Sequence, residues 1–219
     1  WRNVHAIRFI SGGRHARVTW ENGIPSQING TGGSADAIAT AAGFGQAILQ
    51  AGVTVASGWA VLGPAGSSGG ALNNVWQIVK HPAIGVIFGP SDPDNMECFL
   101  GFRVNSGTSG SGTAIPGASE NHAGVYFNGT NWRARIGDAT NLTTGTASTL
   151  ATGTWHTAQV LIRSASRIDI VTDGTVLGTF TGSLPSGGVQ WQCIVVPLNT
   201  SATTTKRMTI GEIFIQQNP

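Results

Sequence analysis

Charged residues are scarce in this sequence. Of its 219 residues, 12 are Lys or Arg and 10 are Asp or Glu, a charged share of 10%, far below the ~25% of ordinary soluble domains. The formal net charge is only +2 and the basic residues are scattered, which argues against a nucleic-acid or anionic-membrane partner. A surface rich in Ser, Thr, Asn, Gln and Gly is typical of extracellular, virion and fibre-like β proteins.

Cysteine is also scarce, with Cys98 and Cys193 as the only two. Each lies in an apolar run typical of a strand, and two thiols without a CxxC spacing disfavour a metal site. Free buried thiols that pack as small apolar side chains are the favoured interpretation. A single disulfide between two strands stays open as the alternative.

Long apolar runs are absent as well. No stretch approaches the ~18 residues that a membrane-spanning helix needs, so no membrane span is predicted. No signal peptide stands at the start, and the sequence begins at Trp1 rather than Met. We interpret the chain as a processed or trimmed product.

Short runs of β-branched and aromatic residues, each ending at Gly, Asn or Asp, are abundant. Between residues 122 and 180 these runs alternate with period two, which predicts antiparallel strands joined by tight turns. The pairs Asn128-Gly129 and Asp173-Gly174 tolerate the positive φ that hairpin turns require. A β-meander is therefore predicted in this part of the chain.

The whole chain contains roughly a dozen such runs, which predicts an all-β fold: an antiparallel two-sheet β-sandwich of the jelly-roll type. Residues 34–50 are the one ambiguous stretch, because they are Ala-rich with Ser34 as a candidate cap, yet Gly43 and Gly45 interrupt a helix. A strand or irregular structure is favoured there. We predict a jelly-roll domain over residues 51–219, preceded by residues 1–50 as an N-terminal arm, or as first strands, that docks onto a partner.

Several of these runs together resemble a known family. They are Gly124-Val-Tyr-Phe, Trp132-Arg-Ala, residues 149–154 leading into Trp155-His-Thr, residues 169–174 ending in Asp-Gly, Leu184-Pro185 before a long apolar strand, and a terminal strand at residues 210–215. In this order they are similar to concanavalin-A-like, or laminin-G-like, jelly rolls, and most of all to those of bacteriophage tail and other virion structural proteins. The resemblance covers about residues 53–217 and implies fold more strongly than function.

The resemblance implies a virion structural protein, namely a tail, fibre or capsid-decorating subunit located in the virus particle. It implies other virion proteins as partners, attachment to a cell-surface glycan, and a homo-oligomer, with a trimer as the expected form. The alternative is a soluble, lectin-like carbohydrate-binding module, with or without a dependence on calcium. A glycoside hydrolase is the third hypothesis.

The family includes glycoside hydrolases, which need two carboxylates close together on one sheet face. The candidate glutamates are Glu97, Glu120 and Glu212, and no two of them share a predicted strand. No Gly-x-Ser-x-Gly elbow joins a strand to a helix, and His156 is interpreted as a strand residue with a satisfied side chain. The sequence therefore predicts that the chain is not an enzyme and has no catalytic residues.

The segment Asp92-Pro-Asp-Asn-Met-Glu97 is the best candidate for a metal site. Oxygen ligands at alternate positions of a loop suit Ca²⁺, and the ligands would be Asp92, Asp94, Asn95 and Glu97. An ordinary turn explains the same residues, so calcium stays open, and no other cofactor is predicted.

Seven tryptophans are many for this length. Those that lie in apolar runs are predicted to be core residues: Trp59, Trp76, Trp155 and Trp191. Trp132 follows a predicted turn and precedes Arg133, so it is a candidate for stacking on a sugar ring, although a core position is favoured. The predicted ligand-binding residues are Trp132, Arg133 and Tyr126.

Overall fold

A computed structural model of the chain contains two layers of antiparallel strands. The structure describes residues 3–10, 14–18, 25–29, 47–51, 60–64, 76–90, 96–104, 115–129, 131–151, 153–197 and 206–218. The strands are β1 (Asn3–Ile10), β2 (Arg14–Val18), β3 (Pro25–Asn29), β4 (Ala47–Ala51), β5 (Ala60–Pro64), β6 (Trp76–Gln77), β7 (Ala83–Pro90), β8 (Met96–Arg103), β9 (Asn121–Asn128), β10 (Trp132–Asp138), β11 (Leu142–Ser148), β12 (His156–Ser164), β13 (Arg167–Thr172), β14 (Thr175–Phe180), β15 (Gly188–Pro197) and β16 (Lys206–Gln217). A 3-10 helix, Ile78–Lys80, follows β6, and the described residues include no helix long and apolar enough to cross a membrane.

The strands form two sheets. Sheet A has the order β14-β13-β12-β7-β16-β1-β2, with β4 also paired to β16, and sheet B has the order β11-β10-β9-β8-β15-β5-β3, with β6 also paired to β15. All pairings among the described strands are antiparallel. The predicted all-β jelly-roll sandwich is therefore confirmed.

The described strands of residues 1–50 are paired into these sheets. β1 pairs with β16 in sheet A, and β3 pairs with β5 in sheet B. β4 crosses the predicted boundary at residue 50 and pairs with β16, which makes the end of the ambiguous Ala-rich stretch a strand. Residues 34–46 lie outside the described residues, and docking of this region onto a partner stays a prediction.

The core lies between the two sheets because the strands alternate apolar and polar residues. In β7, Ile84, Val86 and Phe88 are buried, whereas the residues between them are half-buried. The facing strand β8 contributes Leu100 and Phe102 to the same cluster. Fully burying one such side chain contributes roughly 1.5–3 kcal/mol, so this alternation supplies the main driving force for the sandwich.

Two glycines bring together the edge strands β11 and β14, one from each sheet. A Cβ atom on Gly145 would clash with the carbonyl oxygen of Leu177, and one on Gly178 would lie 2.8 Å from the Cβ of Ala134. The approach of the two layers at this edge therefore requires residues without a side chain.

Both cysteines are free and buried in the core, which confirms the favoured interpretation. Cys98 pairs in register with Val195, and Cys193 pairs with Leu100. Burial raises the pKa of both thiols, so each remains an uncharged apolar group.

Candidate functional site

The outer face of sheet B combines aromatic and charged side chains. In β8, Met96, Cys98, Leu100 and Phe102 belong to the core. Since successive side chains point to opposite faces, the outer face receives Glu97, Phe99, Gly101 and Arg103. β9 and β10 extend this face.

The register of β8, β9 and β10 determines which outer-face residues are neighbours. Tyr126 lies between Phe99 on one side and Arg133 on the other, and Gly124 is paired with Arg135. Side chains directly opposite each other on adjacent strands share a face and touch. The pairing therefore places Tyr126 and Arg133 side by side, as two of the predicted ligand-binding residues.

Tyr126 is held by Glu97. Its hydroxyl donates a hydrogen bond of 2.6 Å to a carboxylate oxygen of Glu97, and both residues are half-buried. Burial, followed by the hydrogen bond to the carboxylate, raises the pKa of Tyr126 above its usual value. The phenol therefore stays protonated and remains a donor to Glu97.

Arg135 supports the same ring from the neighbouring strand. Its guanidinium carbon lies 4.4 Å from the centre of the Tyr126 ring, which is a cation–π contact, and Nη2 donates a hydrogen bond of 2.6 Å to the carbonyl of Pro116. Burial lowers the pKa of Arg135 from its usual value. Its Nε atom has no hydrogen-bond partner among the described residues.

An ion pair lies at the end of the outer face where β8 ends. Arg103 donates two hydrogen bonds, of 2.8 and 2.9 Å, to the two carboxylate oxygens of Glu120. The segment that carries Glu120 and Pro116 lies over this end, and Arg103 is buried there. The bidentate ion pair therefore holds the segment of residues 115–120 against the outer face of sheet B.

His122 is fully buried beside this ion pair. Its Nδ1 donates a 2.9 Å hydrogen bond to the Glu120 carbonyl, and its ring occupies the space that a side chain on Gly137 would need. Burial lowers the pKa of His122 to about 4. The imidazole is therefore neutral at neutral pH, and its Nε2 has no partner among the described residues.

The open end of the face is the candidate site, which consists of Glu97, Tyr126 and Arg133, with the guanidinium of Arg135 against one face of the Tyr126 ring. The first three residues are half-buried rather than covered. Together they present an acceptor, an oriented aromatic ring and a cation on a rigid sheet. Such a set suits the hydroxyl groups and the apolar faces of a saccharide.

The ligand-binding role predicted for Trp132 is wrong in this structure. Its side chain is 1% exposed and packs against Phe88 and Phe127, with ring centres 5.1 and 4.8 Å away. Trp132 and Arg133 are consecutive in a strand, so they point to opposite faces and cannot line one site. The favoured core position of Trp132 is confirmed.

Trp155 was predicted to be a core residue, but the structure exposes it. Its side chain is 49% exposed, so the core position predicted for it is wrong. It precedes β12, and its ring lies within 3.6 Å of the position of a Cβ on Gly89 and within 3.2 Å of one on Gly211. The core predictions for Trp76 and Trp191 are confirmed, and Trp59 lies outside the described residues.

The calcium prediction rests largely on residues that the structure does not describe. Asp92, Asp94 and Asn95 lie outside the described residues, and Glu97 is hydrogen-bonded by Tyr126. Within the part of the chain that is described, no three His, Cys, Asp or Glu residues form a cluster that could hold a metal ion. Calcium binding by Asp92, Asp94, Asn95 and Glu97 stays a prediction.

His156 is a satisfied strand residue, as the sequence indicated. Its Nδ1 lies 2.6 Å from a carboxylate oxygen of Asp173, and the other oxygen of Asp173 accepts a 2.8 Å hydrogen bond from the Thr157 backbone. The pair connects the start of β12 to the turn after β13. The His156–Asp173 pair therefore stabilises the hairpin of β12 and β13.

A shallow groove lies on the outer face of sheet A. It has a volume of about 330 Å³, its floor includes Gly85, and its walls include Gln159 and Phe214. Phe214 is 40% exposed. None of the described residues that line this groove carries a charge, which distinguishes it from the candidate site.

Sequence reasoning missed the charged residues around Tyr126. Arg103, His122 and Arg135 were not assigned to a site, and Glu120 was named only as a candidate glutamate of a glycoside hydrolase. The period-two alternation of residues 132–137 was a usable signal for Arg135, since it separates Arg133 and Arg135 from the apolar residues between them. No local signal links Glu120 to Arg103, because that contact depends on how the 115–120 segment folds back over β8.

No family model and no curated protein sequence matches the chain. Among solved structures, the fold is similar to a protein of unknown function from Shewanella oneidensis MR-1, with a TM-score of 0.66 and 16% identity over 99% of this chain and 86% of that chain. A Bacillus licheniformis β-glucanase has a TM-score of 0.61 and 12% identity, over 99% and 98% of the two chains. The binding domain of botulinum neurotoxin serotype G has a TM-score of 0.57 and 11% identity, over 98% of this chain and 47% of that one.

These similarities establish the fold and correct one prediction. The chain has a concanavalin-A-like jelly roll, as its resemblance implied. The prediction that it is not an enzyme is overturned, because a β-glucanase shares nearly the whole fold. Proteins with this fold therefore include one described as a β-glucanase and one described as a binding domain, and the fold by itself assigns neither role.

Proposed function

We propose that the protein is a carbohydrate-binding jelly-roll module whose saccharide lies at the candidate site on the outer face of sheet B. The observation that carries this proposal is the position of Tyr126. Its half-buried ring is oriented by the 2.6 Å hydrogen bond to Glu97 and by the Arg135 guanidinium. A ring held in this way loses little conformational entropy on binding, and its polar neighbours define the orientation of the ligand.

The fold supports the same proposal. A protein described as a β-glucanase and a domain described as a neurotoxin binding domain both share it. Sheets offer rigid positions for binding side chains, and the three residues of the candidate site come from three adjacent strands. The alternative hypothesis from the sequence, a lectin-like module, is therefore the better supported one.

Binding of an oligosaccharide array by the full chain, followed by calorimetry on the best ligand, tests this proposal. Tyr126→Ala is expected to weaken binding at least tenfold, because stacking on the ring and the hydrogen bond to Glu97 are both lost. Phe214→Ala is the matched control, as it removes an exposed aromatic side chain from the other sheet. Loss of binding in the control but not in Tyr126→Ala would place the ligand in the groove of sheet A and overturn the proposal.

Glycoside hydrolysis is the second candidate function. Glu97 and Glu120 both border the outer face of sheet B, whereas Glu212 belongs to β16 of sheet A. Hydrolysis uses two carboxylates about 5–10 Å apart, whereas Glu97 lies at the start of β8 and Glu120 is bound to Arg103 at its end, so the shared fold rather than this pair supports the candidate. Release of reducing ends from glucans that disappears in Glu97→Gln and Glu120→Gln but persists in Glu212→Gln would establish this activity.

A location in a virus particle, other virion proteins as partners and a trimeric assembly stay predictions from the sequence. None of the three solved structures described above is described as a virion protein. The mass of the native protein in solution, measured by light scattering, checks the trimer, which a monomer would contradict. Thermal unfolding with and without EDTA checks the calcium ion, because an ion bound to the folded state stabilises it, and an unchanged midpoint would contradict that prediction.

A further inference from the structure

We infer that the saccharide bound at the candidate site carries an acidic group, either a carboxylate or a sulfate ester, and that Arg133 receives it. This inference rests on the proposed function, which it makes more specific. It follows from the charges on the outer face of sheet B and from the partners those charges already have.

Arg133 is the available cation of the site. It lies directly opposite Tyr126 in the register of β9 and β10, and its side chain is half-buried. Among the described residues, its guanidinium has no ion pair and no hydrogen bond. A long cationic side chain without a partner is therefore next to the ring on which the sugar is proposed to stack.

The other charged groups of this face are already engaged. Arg103 and Glu120 form a bidentate pair at the covered end. Glu97 accepts the hydroxyl hydrogen bond of Tyr126, and Arg135 lies over the Tyr126 ring and donates to Pro116. Among the residues that the structure describes, this face carries three arginines and two glutamates, and the half-buried arginine without a partner there is Arg133.

A neutral sugar and an acidic sugar would have different consequences for Arg133. A neutral sugar stacked on Tyr126 would remove water from the guanidinium without supplying a charged partner, which is unfavourable. A carboxylate or sulfate supplies two acceptor oxygens that match the two N–H groups of the guanidinium fork. The site is therefore expected to select the acidic ligand over its neutral counterpart.

The carboxylate of Glu97 is the one group of the site that would repel an acid. It is turned toward the Tyr126 hydroxyl, and Arg135 supplies a compensating positive charge on the other side of the ring. An acidic group that approaches from the β10 side reaches Arg133 first. This arrangement orients the ligand, with its acid over β10 and its hydroxyl groups toward β8.

The test uses an array of matched pairs, in which each oligosaccharide with a uronic acid or a sulfate ester stands beside its neutral counterpart. The unmodified chain is expected to bind acidic members at least tenfold more strongly than neutral ones. The array separates the two sources of the acid, because carboxylated and sulfated members are scored independently. Binding is expected to weaken as salt is added, since the pair is partly exposed to solvent.

Three variants separate Arg133 from the overall charge of the protein. Arg133→Gln is expected to abolish the preference for acidic members, and Arg133→Lys to restore part of it, because Lys keeps the charge but not the fork. Arg167→Gln is the control with the same loss of charge, since Arg167 lies in sheet A and is 54% exposed. It is expected to leave the preference unchanged.

Each outcome decides the inference. Acid-selective binding that is lost in Arg133→Gln and retained in Arg167→Gln supports it. Equal binding of neutral and acidic members, or a preference that is unchanged in Arg133→Gln, overturns it and leaves carbohydrate binding intact. Binding of no oligosaccharide at all overturns both the inference and the proposed function.

Discussion

The hydroxyl of Tyr126 donates a 2.6 Å hydrogen bond to the carboxylate of Glu97, on the adjacent strand. The two residues are not opposite each other in register, since Tyr126 pairs with Phe99 and Glu97 pairs with Asn128. The bond is therefore diagonal between the two strands. It fixes the position of the Tyr126 hydroxyl, and with it the aromatic surface of the candidate site.

Removal of this hydrogen bond is expected to weaken binding while preserving the fold. Tyr126→Phe keeps the ring and its contact with Arg135 but leaves Glu97 without its donor. A loss of roughly three- to tenfold in saccharide affinity is expected, which is less than the ~1.5–3 kcal/mol of one hydrogen bond to a charged group, because this bond orients the ring and does not itself contact the ligand. Calorimetry measures it, with thermal unfolding of the same samples as the control, and an unchanged affinity would contradict the role given to the bond.

Burial of His122 predicts a fall in stability under mild acid. The ordinary histidine pKa of 6.5 applies to the unfolded chain, whereas burial lowers the pKa in the folded protein to about 4. Between these values the unfolded chain takes up a proton that the folded protein does not, so stability falls as the pH drops from 6.5 to about 4 and this contribution is constant below. The loss is about 3 kcal/mol, at about 1.4 kcal/mol per pKa unit.

Urea unfolding at several pH values measures this dependence. His122→Gln is expected to flatten the profile between pH 6.5 and 4. His81→Asn is the matched control, because His81 has a positive φ of 50° that Asn tolerates. A profile that remains equally steep in His122→Gln would show that another group is responsible.

Among the four tryptophans that the structure describes, the exposed ring of Trp155 is expected to dominate the part of the fluorescence that solvent can quench. Trp76, Trp132 and Trp191 are buried, whereas Trp155 is 49% exposed. Trp155→Phe should therefore remove a long-wavelength component of the emission that acrylamide quenches. Trp132→Phe is the comparison, and its lost component should be blue-shifted and resistant to acrylamide.

Gly145 at the edge of the sandwich is expected to tolerate no side chain. Gly145→Ala would press a methyl group against the carbonyl of Leu177, and overpacking of this kind costs about 1–3 kcal/mol. Gly182→Ala is the control, since nothing lies within 4 Å of its Cβ position. Urea unfolding of the two variants should differ by that amount, and equal stabilities would mean that the edge strands can separate without cost.

Local patterns predicted much of the fold. The alternation of residues 122–180 predicted antiparallel strands, because the pleat of a strand has a period of two whatever it packs against. The turns at Asn128-Gly129 and Asp173-Gly174 were also predictable, and the φ values of Asp173, Gly129 and Gly174 are positive. Such features depend on neighbouring residues alone.

The sequence by itself thus determined the all-β class, the turns and the side of each strand that faces the core. Tertiary structure alone decided that Trp132 is buried while Trp155 is exposed over glycines of β7 and β16, since those glycines are distant in sequence. It also decided that Glu97, Tyr126 and Arg133 form one site, because their proximity requires the pairing of β8, β9 and β10 in one particular register. Long-range pairing sets that register, and no short stretch of the chain specifies it.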